Sequence, residues 1–129
     1  MQLYFRSPMS LFKPAGTNYI AVKDSDAAAS WYTDNLGLRK INVDFDEGGI
    51  ALGFSDDQCA LVLGSPLPPA DGPPSGETNM LYASNLKKAR EFLSVRGVNV
   101  GDIQQDRQGT HYFEMRDPEG NVIEICEEP

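Results

Sequence analysis

Apolar and polar residues alternate along this chain in two matching stretches. Tyr19-Ile20-Ala21-Val22 has strand-like composition and gives way at Lys23-Asp24 to a helical pattern. Asp24 is a suitable N-cap, since its carboxylate can accept the free amides of a first turn. Ala27, Ala28, Trp31 and Leu36 supply the apolar face, and Gly37 ends the helix. Met80-Leu81-Tyr82-Ala83 repeats the strand and Ser84-Asn85 the cap. Leu86, Ala89, Phe92 and Leu93 repeat the buried face, and Gly97 the stop. The spacing from Asp24 to Gly37 equals that from Ser84 to Gly97, as in a duplication.

The segments after the two helices also correspond. The first copy continues through 40–45 and 49–54, turns at Ser55-Asp56-Asp57-Gln58, and closes with 59–63. The second continues through 98–100 and 110–115, turns at Asp117-Pro118-Glu119-Gly120-Asn121, and closes with 122–126. Each half therefore reads βαβββ. The expected organisation is an N-terminal extension over 1–16, modules over 17–64 and 78–128, and a Pro/Gly-rich linker over 65–77, one domain overall. Residues 1–8 fit poorly with the rest, and Met9 is a second candidate start, so a partly vector-derived extension is one expectation. A single such unit leaves a sheet face uncovered, so two must pair.

Composition narrows the function classes. The chain has 129 residues, 40% of them hydrophobic, enough for one core. Its net charge of −8 argues against nucleic acid, whose phosphates reward basic stripes. No apolar run approaches the roughly 18 residues of a membrane span. The two cysteines, Cys59 and Cys126, form no CxxC and no framework, and no secretion signal is evident. Reduced thiols in a cytoplasm are therefore expected.

Val22-x-Asp24, Ala29-x-Trp31-Tyr32 and Asn35-Leu36-Gly37-Leu38 resemble the opening of vicinal-oxygen-chelate proteins, the glyoxalase, bleomycin-resistance and extradiol dioxygenase type. Arg116-Asp117-Pro118-Glu119-Gly120-Asn121-Val122-Ile123-Glu124-Ile125 resembles their closing hairpin. The resemblance spans about residues 16 to 128. It implies an α+β fold in which paired βαβββ modules form a cupped mixed sheet, assembled as a homodimer. The family spans metal-dependent lyases and dioxygenases as well as metal-free antibiotic-binding proteins, so the fold does not name the reaction.

In the metal-dependent members, His, Gln or Glu project from the first and last strands of each module. The corresponding positions here are Thr17, Val62, Thr78 and Glu124. One carboxylate, two threonines and a valine make a poor divalent site, so no cofactor is expected. A register slip would substitute Glu77 for Thr78, and a metal held by Glu77, His111 and Glu124 stays as the minority alternative.

Strand alternation within that cup places Thr17, Tyr19 and Ala21, then Thr78, Met80 and Tyr82, then Tyr112, Glu114, Glu124 and Cys126 along the cleft. Arg116 is expected at its rim. Plainer roles compete: Tyr19 and Tyr82 as sheet covering, Trp31 as core, and Cys126 as an inert buried thiol. Three roles are open for Glu114 and Glu124. They can share proton transfer beside a carbonyl with Tyr112 as hydrogen-bond donor, hold a cationic amine, or be an inherited ligand position. The leading expectation is non-covalent binding of a small organic molecule over a degenerate metal site. The rival is a lyase, dioxygenase or metal-free isomerase of the same family.

Overall fold

The computed structural model describes residues 11–41, 49–55, 58–64 and 79–129. Phe12–Pro14 forms β1, Asn18–Ala21 β2, Ser25–Leu36 α1 and Arg39–Lys40 β3. Ile50–Ser55 forms β4 and Gln58–Gly64 β5. The second half supplies β6 (Asn79–Ala83), α2 (Leu86–Val95), β7 (Asn99–Val100), β8 (Gln104–Gln105), β9 (His111–Arg116) and β10 (Val122–Glu127). The class is α+β, with two mixed sheets. One runs β2-β5-β4-β3. The other runs β1-β6-β10-β9-β7, with β8 also on β9.

Both halves use the same local devices. Asp24 Oδ1 accepts from Ala27 N at 3.0 Å, and Asn85 Oδ1 accepts from Lys88 N at 3.0 Å. Asn85, not Ser84, is thus the cap equivalent to Asp24, and α2 is the shorter helix. Gly37 closes α1 at φ 77°, a left-handed conformation that only glycine adopts without a Cβ penalty.

The inner face of α1 is Ala28, Ala29, Tyr32, Asn35 and Leu36. The expected face is therefore displaced: Ala27 is exposed, and Trp31 is partly buried, with its ring edge-on to Tyr32 at 4.9 Å. Leu86, Ala89 and Leu93 are buried on α2 as their spacing requires. Helix faces and sheet faces meet in one core that includes Ile20, Leu61, Leu63, Leu81, Phe113 and Ile125.

Part of the expected N-terminal extension belongs to this core. Phe12–Pro14 pairs antiparallel with β6, and Phe12 is buried edge-on to Phe92 at 6.5 Å. After Gly16 the chain crosses to the other sheet as β2, so one run of residues enters both sheets.

Candidate functional site

In each sheet one face packs against the core and the other looks away from the helices. Directly opposed residues share a face, so register alone lays out that open face. In the larger sheet Glu114 stands opposite Glu124, which stands opposite Met80. The next row is Tyr112, Cys126, Tyr82 and Lys13. In the smaller sheet Tyr19 stands opposite Val62, which stands opposite Ala51. Ala51, Val62 and Cys126 lie outside the helix-side core and are nevertheless buried, so the second face is covered at these positions.

A buried asparagine joins the two faces. Asn18, 9% exposed, donates from Nδ2 to the Met80 carbonyl at 2.8 Å and the Ala60 carbonyl at 3.3 Å. Its Oδ1 accepts from Met80 N at 3.0 Å. The amide thus stands in for a strand neighbour and brings the Tyr19 row beside the Met80 row. Its polar side chain on the inward face of β2 is the signal by which the sequence marks it.

A second junction comes from the β9–β10 turn. Asp117, 5% exposed, accepts from Tyr32 Oη (2.8 Å), Asn121 Nδ2 (2.9 Å), Glu119 N (2.9 Å) and Asn121 N (2.8 Å). Burial, then the Asp117 charge, pushes the Tyr32 phenol far above its ordinary range. The Glu119 carboxylate accepts from Lys23 N and Asp24 N at the start of α1 (2.7 and 3.1 Å). A turn whose sequence suggests only hairpin chemistry therefore also fastens one module to the other. Arg96 adds a third tie, donating to Asn35 Oδ1 and the Asp34 carbonyl.

The candidate residues divide between the two sheets. Tyr112, Glu114, Glu124, Met80 and Tyr82 share the open face of the larger sheet and are half-buried; Arg116, exposed, lies across from Val122 on that face. Tyr19 and Val62 share the open face of the smaller sheet, Tyr19 64% exposed and Val62 8%. Thr17 is exposed and donates to the Cys59 carbonyl at 3.2 Å. Thr78, like Glu77, lies outside the described residues. Ala51 is an addition to the expected set, on the same alternation as Val62.

Cys126 Sγ lies 3.7 Å from Glu124 Oε1, and its pKa is pushed up to about 11 by burial first and by Glu124 second. The single histidine faces elsewhere. His111 Nδ1 lies 3.0 Å from Glu127 Oε2, which also accepts from His111 N at 2.6 Å. These contacts hold the Glu127 carboxyl below its ordinary pKa.

A divalent metal on this face needs about three or more protein donors. Val62 offers none, and the Thr17 hydroxyl donates to the Cys59 carbonyl. Among the described residues no three His, Cys, Asp or Glu side chains gather closely enough to hold a metal. The donor set among the described residues does not fit one. Two surface depressions lie away from the open face. One of about 350 Å³ includes Ser30, Thr33 and Arg39, and one of about 510 Å³ includes Lys88, Ser94 and Ile103. No helix among the described residues is long and apolar enough to cross a membrane.

A family model described as the Glyoxalase/Bleomycin resistance protein/Dioxygenase superfamily matches residues 14–125. No curated protein matches the sequence. Among solved structures, a member of that superfamily from Sphaerobacter thermophilus is 25% identical, with TM-score 0.69, over 88% of this chain and 95% of that one. TnmS3, an antibiotic binding protein from Streptomyces, is 21% identical, with TM-score 0.69, over 88% and 93%. A lactoylglutathione lyase from Agrobacterium tumefaciens is 21% identical, with TM-score 0.65, over 87% and 91%. The last two likenesses concern the fold alone.

Proposed function

The chain belongs to the glyoxalase/bleomycin resistance protein/dioxygenase superfamily, and we propose that it binds a small organic molecule non-covalently, without a metal, on the open face of its two sheets. The observation that carries this is the register-equivalent pair Val62 and Glu124. Each sits at the centre of its sheet, flanked by Tyr19 and Ala51 in one module and by Met80 and Glu114 in the other. Where a metal would need a second donor, the first module presents a buried valine. What remains is an apolar and aromatic surface with a few polar groups, the usual make-up of a small-molecule site. The fold shared with an antibiotic binding protein agrees with sequestration as the role.

A homodimer in a reducing cytoplasm completes the proposal; the two free thiols are compatible with that compartment. The rival reading, metal-free proton transfer, draws on the opposition of Glu114 and Glu124 with Tyr112 one row away.

The first test is elemental analysis of protein purified without chelator or added metal, with zinc, nickel, iron and manganese counted per chain. About one tightly held metal per chain overturns the proposal. With no metal, a thermal-shift ligand screen comes next, and Tyr82→Ala should abolish the stabilisation by any hit. A hit that is turned over by the protein but not by its Glu124→Gln variant, with affinity kept, overturns pure sequestration.

A further inference from the structure

We propose that the outer face of α2 docks a short acidic segment of a partner protein, carboxylates at the start of the helix and an apolar side chain at its end. This surface is separate from the open face of the sheets and does not depend on what that face binds. A groove of about 510 Å³ lies between α2 and the segment after β7, with Lys87, Lys88, Glu91, Val95 and Ile103 among its lining residues.

Two features of this face work against the stability of the isolated chain. The first turn of α2 carries Lys87 and Lys88 and no acidic residue, although the positive end of a helix dipole favours carboxylates. α1 has the favourable arrangement, with Asp26 in its first turn and the Glu119 carboxylate on its leading amides. The ion pairs among the described residues join Lys13 to Glu128, Arg90 to Asp102 and His111 to Glu127, and none reaches Lys87 or Lys88. At the far end of α2, Val95 is 81% exposed. A partner with carboxylates at one end and an apolar group at the other relieves both features at once.

The wall of the groove is held in place by the chain itself. Arg90 Nε donates to the Gly101 carbonyl at 2.7 Å, and its guanidinium lies 3.6 Å from Asp102. Ile103, next in the chain, packs against the core and gives the groove an apolar floor.

Spacing sets the pattern of the partner. Val95 follows Lys88 by seven residues, about 10 Å along the axis at roughly 1.5 Å per residue. An extended peptide covers about 10 Å in three residues, so the apolar side chain stands three positions after a carboxylate. Glu91 lines the groove midway, so the residues between are uncharged. The net charge of −8 is screened beyond roughly 8 Å at physiological salt, so a short segment meets chiefly the lysines. An anionic membrane is a broad plane that meets the acidic surface around them, which favours a peptide.

Amide NMR of the isotope-labelled full chain tests this with three synthetic peptides, each blocked at both ends and titrated to millimolar concentration. The first is Asp-Asp-Ser-Ser-Leu-Leu, the second has lysines for the aspartates, and the third has alanines for the leucines. The first should move the amides of Lys88, Ser94, Val95 and Ile103, and bind at least roughly ten-fold tighter than the other two. Lys87→Glu combined with Lys88→Glu should weaken it by roughly ten-fold and also raise the urea midpoint, because the dipole then meets carboxylates. Val95→Ser should weaken it with folding intact, the side chain being 81% exposed.

No shifts, or shifts centred elsewhere, overturn the proposal. So does equal affinity for the lysine peptide, or a double variant with a lowered urea midpoint, which gives the lysines a structural role instead. Binding to phosphatidylserine vesicles that the double variant loses assigns the face to a membrane and overturns peptide docking.

Discussion

The two modules share a scaffold but not an open face. Toward the helices they are interchangeable in kind: Leu61 and Leu63 in one, Ile123 and Ile125 in the other, all fully buried. On the side away from the helices, Val62 and Ala51 in the first module stand where Glu124 and Glu114 stand in the second. A shared core has to be apolar from both sides, whereas the open face is constrained only by what it meets. Differences between the modules therefore collect there. The junctions are unequal as well. Asp117, Glu119 and Asn121 reach from the second module into the first, and the described residues provide no counterpart from the turn between β4 and β5, whose Asp56 and Asp57 lie outside them.

The largest expected effect comes from removing the hub of that one-sided junction. Asp117→Ala leaves the Tyr32 hydroxyl and two turn amides without their acceptor inside the protein. A cost of about 3 kcal/mol is expected, read from urea unfolding at neutral pH. Tyr32→Phe deletes only the donor and should cost about 1 kcal/mol. If the two variants lose equally little, the turn is a hairpin and nothing more.

Next comes the seam. Asn18→Leu removes the amide that satisfies Met80 N and Met80 O, with about 2 kcal/mol expected. Asn18→Asp keeps the acceptor for Met80 N but places a carboxylate against the Met80 and Ala60 carbonyls. It should therefore be no better tolerated than the leucine. An aspartate as stable as wild type would show that the seam does not depend on Asn18 as a donor.

Much of this is legible in the sequence, for reasons specific to each element. The cross-strand rows emerge because a strand has a period of two, so once a face is fixed every second residue is fixed with it. Glu114 and Glu124 fall on one face that way, and the register sets them opposite one another. The helices are less exact. Ala27, Ala28 and Ala29 are alike in size and polarity, so the run does not set the phase of α1, and the buried Tyr32 stands out in the sequence as part of a family motif rather than as core. Ser84 and Asn85 are both good caps, and only geometry selects Asn85. β1 and β8 are too short to show alternation, at three and two residues. The Asp117–Tyr32 bond joins residues far apart in the chain, which local pattern cannot reveal.

Exchanging the central residues is the direct way to sharpen the comparison. Val62→Glu buries a carboxylate, and a loss of about 1–2 kcal/mol is expected. Glu124→Val removes one of two opposed charges and should be neutral or stabilising by about 0.5 kcal/mol. Stability measured by urea unfolding should thus move in opposite directions for the two substitutions. If both destabilise by similar amounts, Glu124 has a structural partner, and the second module's face is not a surface free to diverge.

The smallest effect uses the two thiols as local reporters of charge, one in each module. Burial raises the Cys59 thiol, and hydrogen bonds to the backbone of Leu52 and Leu61 oppose the rise. Cys126 is raised further, to about 11, by burial first and then by Glu124, which adds its charge and accepts from the thiol. A raised thiol pKa favours the neutral form in the folded state. Its contribution to stability is complete below pH 9 and is lost as pH rises through about 11. Site-resolved alkylation with iodoacetamide, read by mass spectrometry from pH 7 to 11, should therefore label Cys59 at lower pH than Cys126. Glu124→Gln should move the Cys126 profile downward and leave that of Cys59 in place. Coincident profiles in wild type would mean that burial alone sets both thiols and that the carboxylate charge on the second module's face does not reach its neighbour.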